Sequence, residues 1–181
     1  MVEESWNEMR RCNLRQNRIT STPHTKWTAP TPITYKINYD GALSNADNKS
    51  GIGVVVWDCR GEVIVLLVQQ LDQAYQPVEI EAMATCKAVE FGSELGFHRA
   101  IVEGDSVLVM KALTCKDNGL APYAHLINYV SLFSGSFSEL SYSHIRRDSN
   151  KVTHSLAKLV LTSPSCTMWI KDVPSRTLPF V

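Results

Sequence analysis

The sequence lacks a long apolar run, an excess of charge of either sign and a regular cysteine pattern. No apolar segment approaches the roughly 18 residues of a membrane-spanning helix, and the charged N-terminus has no apolar signal-peptide core. The 18 basic and 18 acidic residues give zero formal net charge, so nucleic-acid binding would rely on a local basic patch or on bound cations. The five cysteines are odd in number and lack Cys-x-x-Cys spacing, which favours reduced thiols. We therefore expect an intracellular protein of the nucleus or cytoplasm, neither secreted nor membrane-bound.

The length and composition predict one globular domain with an extension at each end. The chain has 181 residues, of which 44% are apolar, enough for one domain with a hydrophobic core. Residues 1–32 are polar and contain prolines, which predicts a flexible leader that could include a short helix around Glu3–Arg11. The domain itself is expected at 33–162. Residues 163–181 are either a docked C-terminal tail, which we favour, or a partner-binding segment.

Hydrophobic periodicity within this domain predicts alternating strands and helices. Apolar residues at every second position predict a first strand at Ile33–Asp40, followed by a polar loop at 43–50. Two further antiparallel strands are expected at Gly51–Asp58 and Glu62–Gln69. The remaining elements are predicted in the order helix Glu79–Leu95, strand His98–Glu103, helix from Val107, helix Tyr123–Phe133, strand Phe137–His144 and a last helix from Asn150 to Leu161.

Three acidic residues occur at the ends of these elements. Asp40 ends the first strand, Glu81 opens the first long helix and Asp105 follows the fourth strand. Taken singly, they are typical of an Asp-Gly turn, a favoured charge at a helix N-terminus and an N-cap. If the first and fourth strands are parallel neighbours, however, the three carboxylates converge at one sheet edge and repel one another unless cations lie between them. Oxygen ligands of this kind select Mg²⁺ or Mn²⁺, and two such ions about 4 Å apart would activate water against a phosphodiester.

Five motifs occur in a fixed order over about residues 33–161, and together they resemble a known family. They are Lys36-Ile-Asn-Tyr-Asp-Gly-Ala42, Gly51-Ile-Gly-Val-Val-Val-Trp-Asp58, Glu79-Ile-Glu-Ala-Met-Ala84, Val102-Glu-Gly-Asp-Ser106, and His144-Ile-Arg-Arg-Asp-Ser-Asn150 with Ser155-Leu-Ala-Lys158. The set is similar to type 1 ribonuclease H, and more closely to the plant ribonuclease H-like domains that are themselves similar to the C-terminal parts of non-LTR retrotransposon polyproteins. The resemblance implies an α/β, ribonuclease H-like fold: a five-stranded mixed sheet, three antiparallel strands then two parallel, with helices on both faces.

The same resemblance assigns roles to individual residues. It implies that Asp40, Glu81 and Asp105 are the metal-binding carboxylates, for Mg²⁺ with Mn²⁺ as an alternative. His154 stands where the family usually has a fourth carboxylate, so the second ion should bind more weakly and cleavage should be slower. His144 matches a mobile histidine thought to assist proton transfer or product release. A surface helix position for His154 and an edge-strand histidine without chemistry for His144 are the alternatives.

The resemblance also implies contacts with an RNA–DNA hybrid, read through its backbone and 2′-hydroxyls. Polar residues of the predicted 43–50 loop are candidates for these contacts, as are residues flanking the start of the last helix. A solvated basic patch is the alternative for the second group. The candidates are Asn45, Asn48 and Ser50 in the loop, and Arg146, Arg147, Asn150 and Lys151 near the helix.

Two functions remain open from the sequence. The first is a monomeric, metal-dependent endonuclease that cleaves the RNA strand of RNA–DNA hybrids. The second is a catalytically weakened or inactive ribonuclease H-like module that binds nucleic acid or another protein, with His154 as its main support. A transposon-derived remnant without selected activity is a third hypothesis.

Overall fold

The computed structural model describes residues 18–24, 26–114, 121–162 and 166–170. Within these ranges the strands are β1 Arg18–His24, β2 Tyr35–Ser44, β3 Lys49–Trp57, β4 Val63–Leu71, β5 Arg99–Gly104, β6 Glu139–Ile145 and β7 Cys166–Ile170. All seven form one mixed sheet in the order β1-β6-β5-β2-β3-β4-β7. The side containing β1, β6, β5 and β2 is parallel, and the pairs β2–β3, β3–β4 and β4–β7 are antiparallel.

The described residues contain four α-helices and one 3₁₀ turn. The helices are α1 Pro77–Glu94, α2 Val107–Thr114, α3 Ala124–Ser134 and α4 Lys151–Thr162, and the 3₁₀ turn is Arg147–Ser149. Pro77 begins α1, where a missing N–H costs nothing, and the Glu79 carboxylate accepts the N–H of Gln76 at 2.9 Å. No helix in the described ranges is long and apolar enough to cross a bilayer.

Alternation along β3 and β4 sends side chains to two separate cores, one on each face of the sheet. Val54 and Val56 pack in the cluster that contains the α1 residues Ile80 and Ala84. Val55 and Trp57 pack instead with residues of α4 such as Leu156. The structure therefore confirms the predicted mixed sheet with helices on both faces.

The prediction of five strands was wrong in number, because β1 and β7 extend the sheet at its two edges. β1 lies in the predicted leader, where polar composition gave no strand signal, and β7 lies in the predicted tail. The short helix expected around Glu3–Arg11 lies outside the described residues, as do Cys12 and Cys115. The described cysteines, Cys59, Cys86 and Cys166, are free thiols.

The predicted loop at 43–50 is also corrected by the structure. β2 continues to Ser44 and β3 begins at Lys49, so a tight hairpin replaces most of the loop. Asn48 has φ of 51°, a left-handed conformation that asparagine tolerates better than most residues. The polar composition of these residues predicted a loop. The hairpin is stabilised by pairing between β2 and β3, which the composition of one short segment does not reveal.

Helix α4 approaches β3 closely because two β3 residues have no side chain. A Cβ added to Gly51 would lie 2.2 Å from the carbonyl oxygen of Ala157, and one added to Gly53 would lie 2.5 Å from that of Thr153. Gly53 is also the residue paired with Asp40 across the β2–β3 ladder. The two glycines therefore set how close the side chains of α4 come to Asp40.

We predict that Gly53→Ala strongly destabilises the domain. Its methyl group meets helix backbone, which cannot move aside locally, so we expect a loss of about 3 kcal/mol and a fall in Tm of about 6 °C or more. Gly92→Ala is the matched control, because its methyl group would meet side-chain atoms of Ile37 and Phe137 rather than helix backbone, and alanine favours the helix by about 1 kcal/mol. Thermal unfolding of both variants checks this; equal Tm values would contradict it.

Candidate active site

Asp40 and Asp105 lie side by side because their strands are parallel neighbours. The last pair in the β2–β5 ladder is Asn38 with Glu103. Asp40 lies two residues after Asn38, and Asp105 lies two residues after Glu103. Asp40 is still within β2, where its Oδ1 accepts the N–H of Gly41 at 3.0 Å. Asp105 follows β5 immediately, and Ser106, rather than Asp105, offers its hydroxyl oxygen to the N–H of Val109 in α2. The Asp105 carboxylate is thus not used as a helix cap.

Glu81 completes a cluster of three carboxylates. It lies near the start of α1, which packs on β2. One carboxylate oxygen from each of Asp40, Glu81 and Asp105 lies within 4.8 Å of the others. Asp40 is only 2% exposed, and Oε2 of Glu81 is buried without a hydrogen-bond partner in the described structure.

Burial and mutual repulsion make this cluster costly to ionise. Loss of solvation, followed by the charges of Asp40 and Asp105, raises the pKa of Glu81 to about 9. Loss of solvation and the Asp105 charge also raise the pKa of Asp40, against the opposing effect of His154. An unpartnered, buried carboxylate oxygen beside two further carboxylates fits the hard-oxygen coordination of a divalent cation.

His154 contacts this cluster through Asp40 alone. Its Nδ1 lies 2.6 Å from Oδ2 of Asp40, so Nδ1 donates its proton to the carboxylate. His154 is not part of the group of converging ligand atoms. The side chain expected to stand in for a fourth carboxylate therefore hydrogen-bonds to Asp40 and adds no ligand atom to the cluster.

Arg147 continues this chain of contacts outward. Its Nη2 lies 3.4 Å from Nε2 and 3.5 Å from Nδ1 of His154. Because Nη2 is almost equidistant from the two ring nitrogens, the guanidinium lies against the imidazole ring as a whole. The 3₁₀ turn before α4 thus places a guanidinium one side chain away from Asp40.

His144 lies on the opposite side of the cluster, at the end of β6. It pairs with Gly104 in the parallel β5–β6 ladder, and its Nε2 lies 3.1 Å from the backbone oxygen of Asp105. A carbonyl oxygen only accepts, so Nε2 carries the proton. His144 is half-buried and belongs to the same site as the carboxylates.

A groove of about 700 Å³ runs over the cluster. Glu81, Asp105, His144 and His154 line it, together with apolar residues such as Leu108. Three basic side chains also line it: Arg146, Arg147 and Lys158. Lys158 was not among the predicted nucleic-acid contacts, although it lies four residues after His154 and therefore on the same face of α4.

Some of the residues expected to contact nucleic acid are exposed, and others are buried. Asn45 and Asn48 are exposed in the β2–β3 hairpin, and Lys151 is exposed outside the groove lining. Ser50 is 0% exposed, and its hydroxyl accepts the N–H of Tyr75. Asn150 is 3% exposed, so neither Ser50 nor Asn150 faces a ligand. These two expectations are corrected, because burial leaves them only positioning roles.

Asn150 belongs to a buried polar network that ties together the elements carrying the site. Its Nδ2 donates to the carbonyl of Tyr39, the residue before Asp40, at 2.8 Å. Asn38 donates to Asn150 and to Glu103, and Glu103 pairs with Lys36 at 3.1 Å. These contacts join β2 to β5 and to the start of α4. They hold the backbone that immediately precedes Asp40 and Asp105.

Comparison with known families identifies the domain. The family described as reverse transcriptase-like matches residues 38–160, more than half of the chain. The chain belongs to the reverse transcriptase-like family. This range contains Asp40, Glu81, Asp105, His144 and His154. No curated protein sequence gives a match.

Solved structures similar to this reverse transcriptase-like domain are RNase H structures. RNase H1 of Halobacterium salinarum is 22% identical, with a TM-score of 0.66, over 71% of this chain and 98% of its own. The N-terminal RNase H domain of a Mycobacterium tuberculosis protein is 21% identical, with a TM-score of 0.65, over 72% and 94%. LC11-RNase H1, isolated from compost, was solved with an RNA/DNA hybrid; it is 22% identical, with a TM-score of 0.55, over 69% and 94%. The likeness establishes an RNase H-like fold.

We predict that the metal-free domain loses stability as pH rises from about 4.5 to about 9. The pKa of Glu81 is raised from 4.5 to about 9 in the folded state, so folding takes up a proton in this window and deprotonation opposes folding. Glu81→Gln should flatten the curve and raise Tm at the alkaline end by about 3 °C or more. Scanning calorimetry of the parent and Glu81→Gln, in the presence of a chelator and at a series of pH values in this window, measures the Tm of each.

The control for this prediction is Glu94→Gln, which removes an exposed carboxylate from the end of the same helix. That variant should follow the parent. A parent Tm that rises steadily with pH through the window would contradict the prediction.

Proposed function

We propose that this domain is a metal-dependent endonuclease that cleaves the RNA strand of RNA–DNA hybrids. The observation that carries the proposal is the convergence of Asp40, Glu81 and Asp105 within 4.8 Å, with one Glu81 oxygen buried and unpartnered. Three carboxylates in an open groove serve hydrolysis of an anionic substrate only when cations offset their charge. The RNase H-like fold, and the RNA/DNA hybrid bound by LC11-RNase H1, favour that substrate class.

Asp40, Glu81 and Asp105 would hold Mg²⁺, or Mn²⁺ in its place, since carboxylate oxygens suit both. When bound, the metal supplies charge neutralisation at the phosphate and lowers the pKa of water. The protein keeps the ligands in place through the two paired strands and the fixed start of α1. Their burial restricts solvent access and strengthens electrostatic interactions in the site.

The basic residues of the groove would bind the sugar-phosphate backbone. Arg146, Arg147 and Lys158 line the groove, and Asn45 and Asn48 extend the polar surface along the β2–β3 hairpin. Contacts of this kind position a duplex without reading its base sequence. Because the net charge is zero, affinity should depend on this patch and weaken with added salt.

His144 would move protons during the reaction. Its Nε2–H is held by the Asp105 carbonyl, which leaves Nδ1 as the ring atom able to accept a proton. The backbone contact also fixes the tautomer beside the cluster. Release of this contact would let the side chain turn when product leaves.

A second candidate function is an inactive hybrid-binding module, and one contact favours it. Nδ1 of His154 occupies Oδ2 of Asp40 at 2.6 Å, which competes with a cation for that oxygen. The two functions differ in turnover, because a binding module would hold the hybrid in Mg²⁺ or Mn²⁺ without cutting it.

We predict that Asp40→Asn lowers Mg²⁺-dependent cleavage of a labelled RNA–DNA hybrid by at least about 100-fold. The amide keeps the shape of the side chain and removes the ligand charge, so circular dichroism should be unchanged. The exposed Asp47 serves as control, and Asp47→Asn should cut like the parent. Cleavage by Asp40→Asn at the parent rate would show that the assignment is wrong.

We predict that His154→Asp speeds cleavage about 10-fold in Mg²⁺, because it adds a carboxylate and frees Asp40. The comparison uses parent and variant with Mg²⁺ and Mn²⁺ side by side. His125→Asp, an exposed change on α3, makes the same substitution away from the groove and should have no effect. Hybrid binding without turnover in every variant would favour the inactive module.

A further inference from the structure

Without substrate, the three carboxylates of the site carry less negative charge than two divalent cations would carry positive charge. Three carboxylates converge, and the fourth neighbour, His154, brings no negative charge while its Nδ1 binds Asp40. A single divalent cation would leave the cluster with one negative charge. Two divalent cations would leave it positive.

A permanent positive charge already lies beside this cluster. Arg147 Nη2 lies 3.4 Å from His154 Nε2, and His154 in turn contacts Asp40. Within the described part of the chain, the hydrogen-bonding contacts of the guanidinium are with His154 alone. The Arg147 side chain is exposed and lines the groove with Glu81 and Asp105, so its remaining donors face the space where substrate would lie.

We propose that Arg147 supplies the positive charge that a second divalent cation would otherwise supply, so that the site works with one bound ion. This inference rests on the proposed nuclease function. One ion and the guanidinium together balance the three carboxylates. A planar guanidinium also binds a phosphate through two parallel N–H donors and keeps its charge at any working pH.

The arrangement gives His154 a defined part in this role. Its ring spans the space between Asp40 and Arg147, so it fixes the position of the guanidinium relative to the carboxylates. His154→Asp would instead place a carboxylate beside Arg147 and add one negative charge to the set available for a second ion. Arg147 and the residue at 154 are therefore expected to depend on each other.

The first test counts ions. Calorimetric titration of the full chain with Mn²⁺, without nucleic acid, should give one ion for the parent and two for His154→Asp. Arg147→Ala should still bind one ion, about three-fold more tightly or better, because a like charge has been removed. Two ions bound by the parent would overturn the proposal.

The second test measures cleavage in a double-mutant cycle. Arg147→Ala should lower kcat by about 100-fold or more in the parent and by less than about 10-fold in His154→Asp, with partial rescue by Arg147→Lys. Arg146→Ala, the neighbouring groove cation, should mainly raise KM, equally in both backgrounds. Equal losses of kcat for Arg147→Ala in the two backgrounds would overturn the proposal.

The two tests separate this inference from the proposed function. If no variant cleaves the hybrid, the nuclease assignment fails, and the ion count then decides the charge balance alone. One ion in the parent and two in His154→Asp would support His154 as the reason for single-ion binding, and tighter Mn²⁺ binding by Arg147→Ala would show that the Arg147 charge acts on the bound ion. Any other count would reject it.

Discussion

Mutual repulsion among three carboxylates, one buried and two half-buried, is the constraint on which the site depends. Burial and the neighbouring charges raise the pKa of Glu81 to about 9. Ionising all three carboxylates of the site therefore costs free energy in the folded domain. Such a cost persists only where a rigid framework holds the groups together. Here the framework is the parallel pairing of β2 with β5 and the packing of α1 on the sheet. A divalent cation would turn the repulsion into attraction.

The side of the site towards α4 depends on close packing and on buried polar contacts. Gly51 and Gly53 let the helix backbone lie against β3, and Asn150 ties the helix start to the Tyr39 carbonyl. The Lys36–Glu103 pair joins the two aspartate-bearing strands one step further back. A buried ion pair is not in itself a source of stability, but its hydrogen bonds fix the relative position of the strands. The contact between His154 and Asp40 follows from this placement.

The RNase H-like fold is shared with structures that are about one fifth identical in sequence. The contacts of His154 with Asp40 and Arg147, in contrast, depend on the particular side chains of this chain. An imidazole bound to Asp40 and to a guanidinium changes both the charge and the ligand set. Fold similarity therefore does not determine how many cations this site uses. In our proposal, the local contacts of Arg147, His154 and Asp40 set that number.

Period-two and period-3.6 patterns, which are local information, predicted the order of the central strands and helices. The helices on both faces were implied by the resemblance to ribonuclease H, and the convergence of Asp40, Glu81 and Asp105 was predicted on the condition that the first and fourth strands are parallel neighbours. The folded structure was needed to show that β1 and β7 extend the sheet, that Ser50 and Asn150 are buried, and that Lys158 lines the groove. It also decided that His154 binds Asp40 while Arg147 binds His154. Edge pairing, burial and side-chain contacts depend on residues far apart in the chain, so no local pattern contains them.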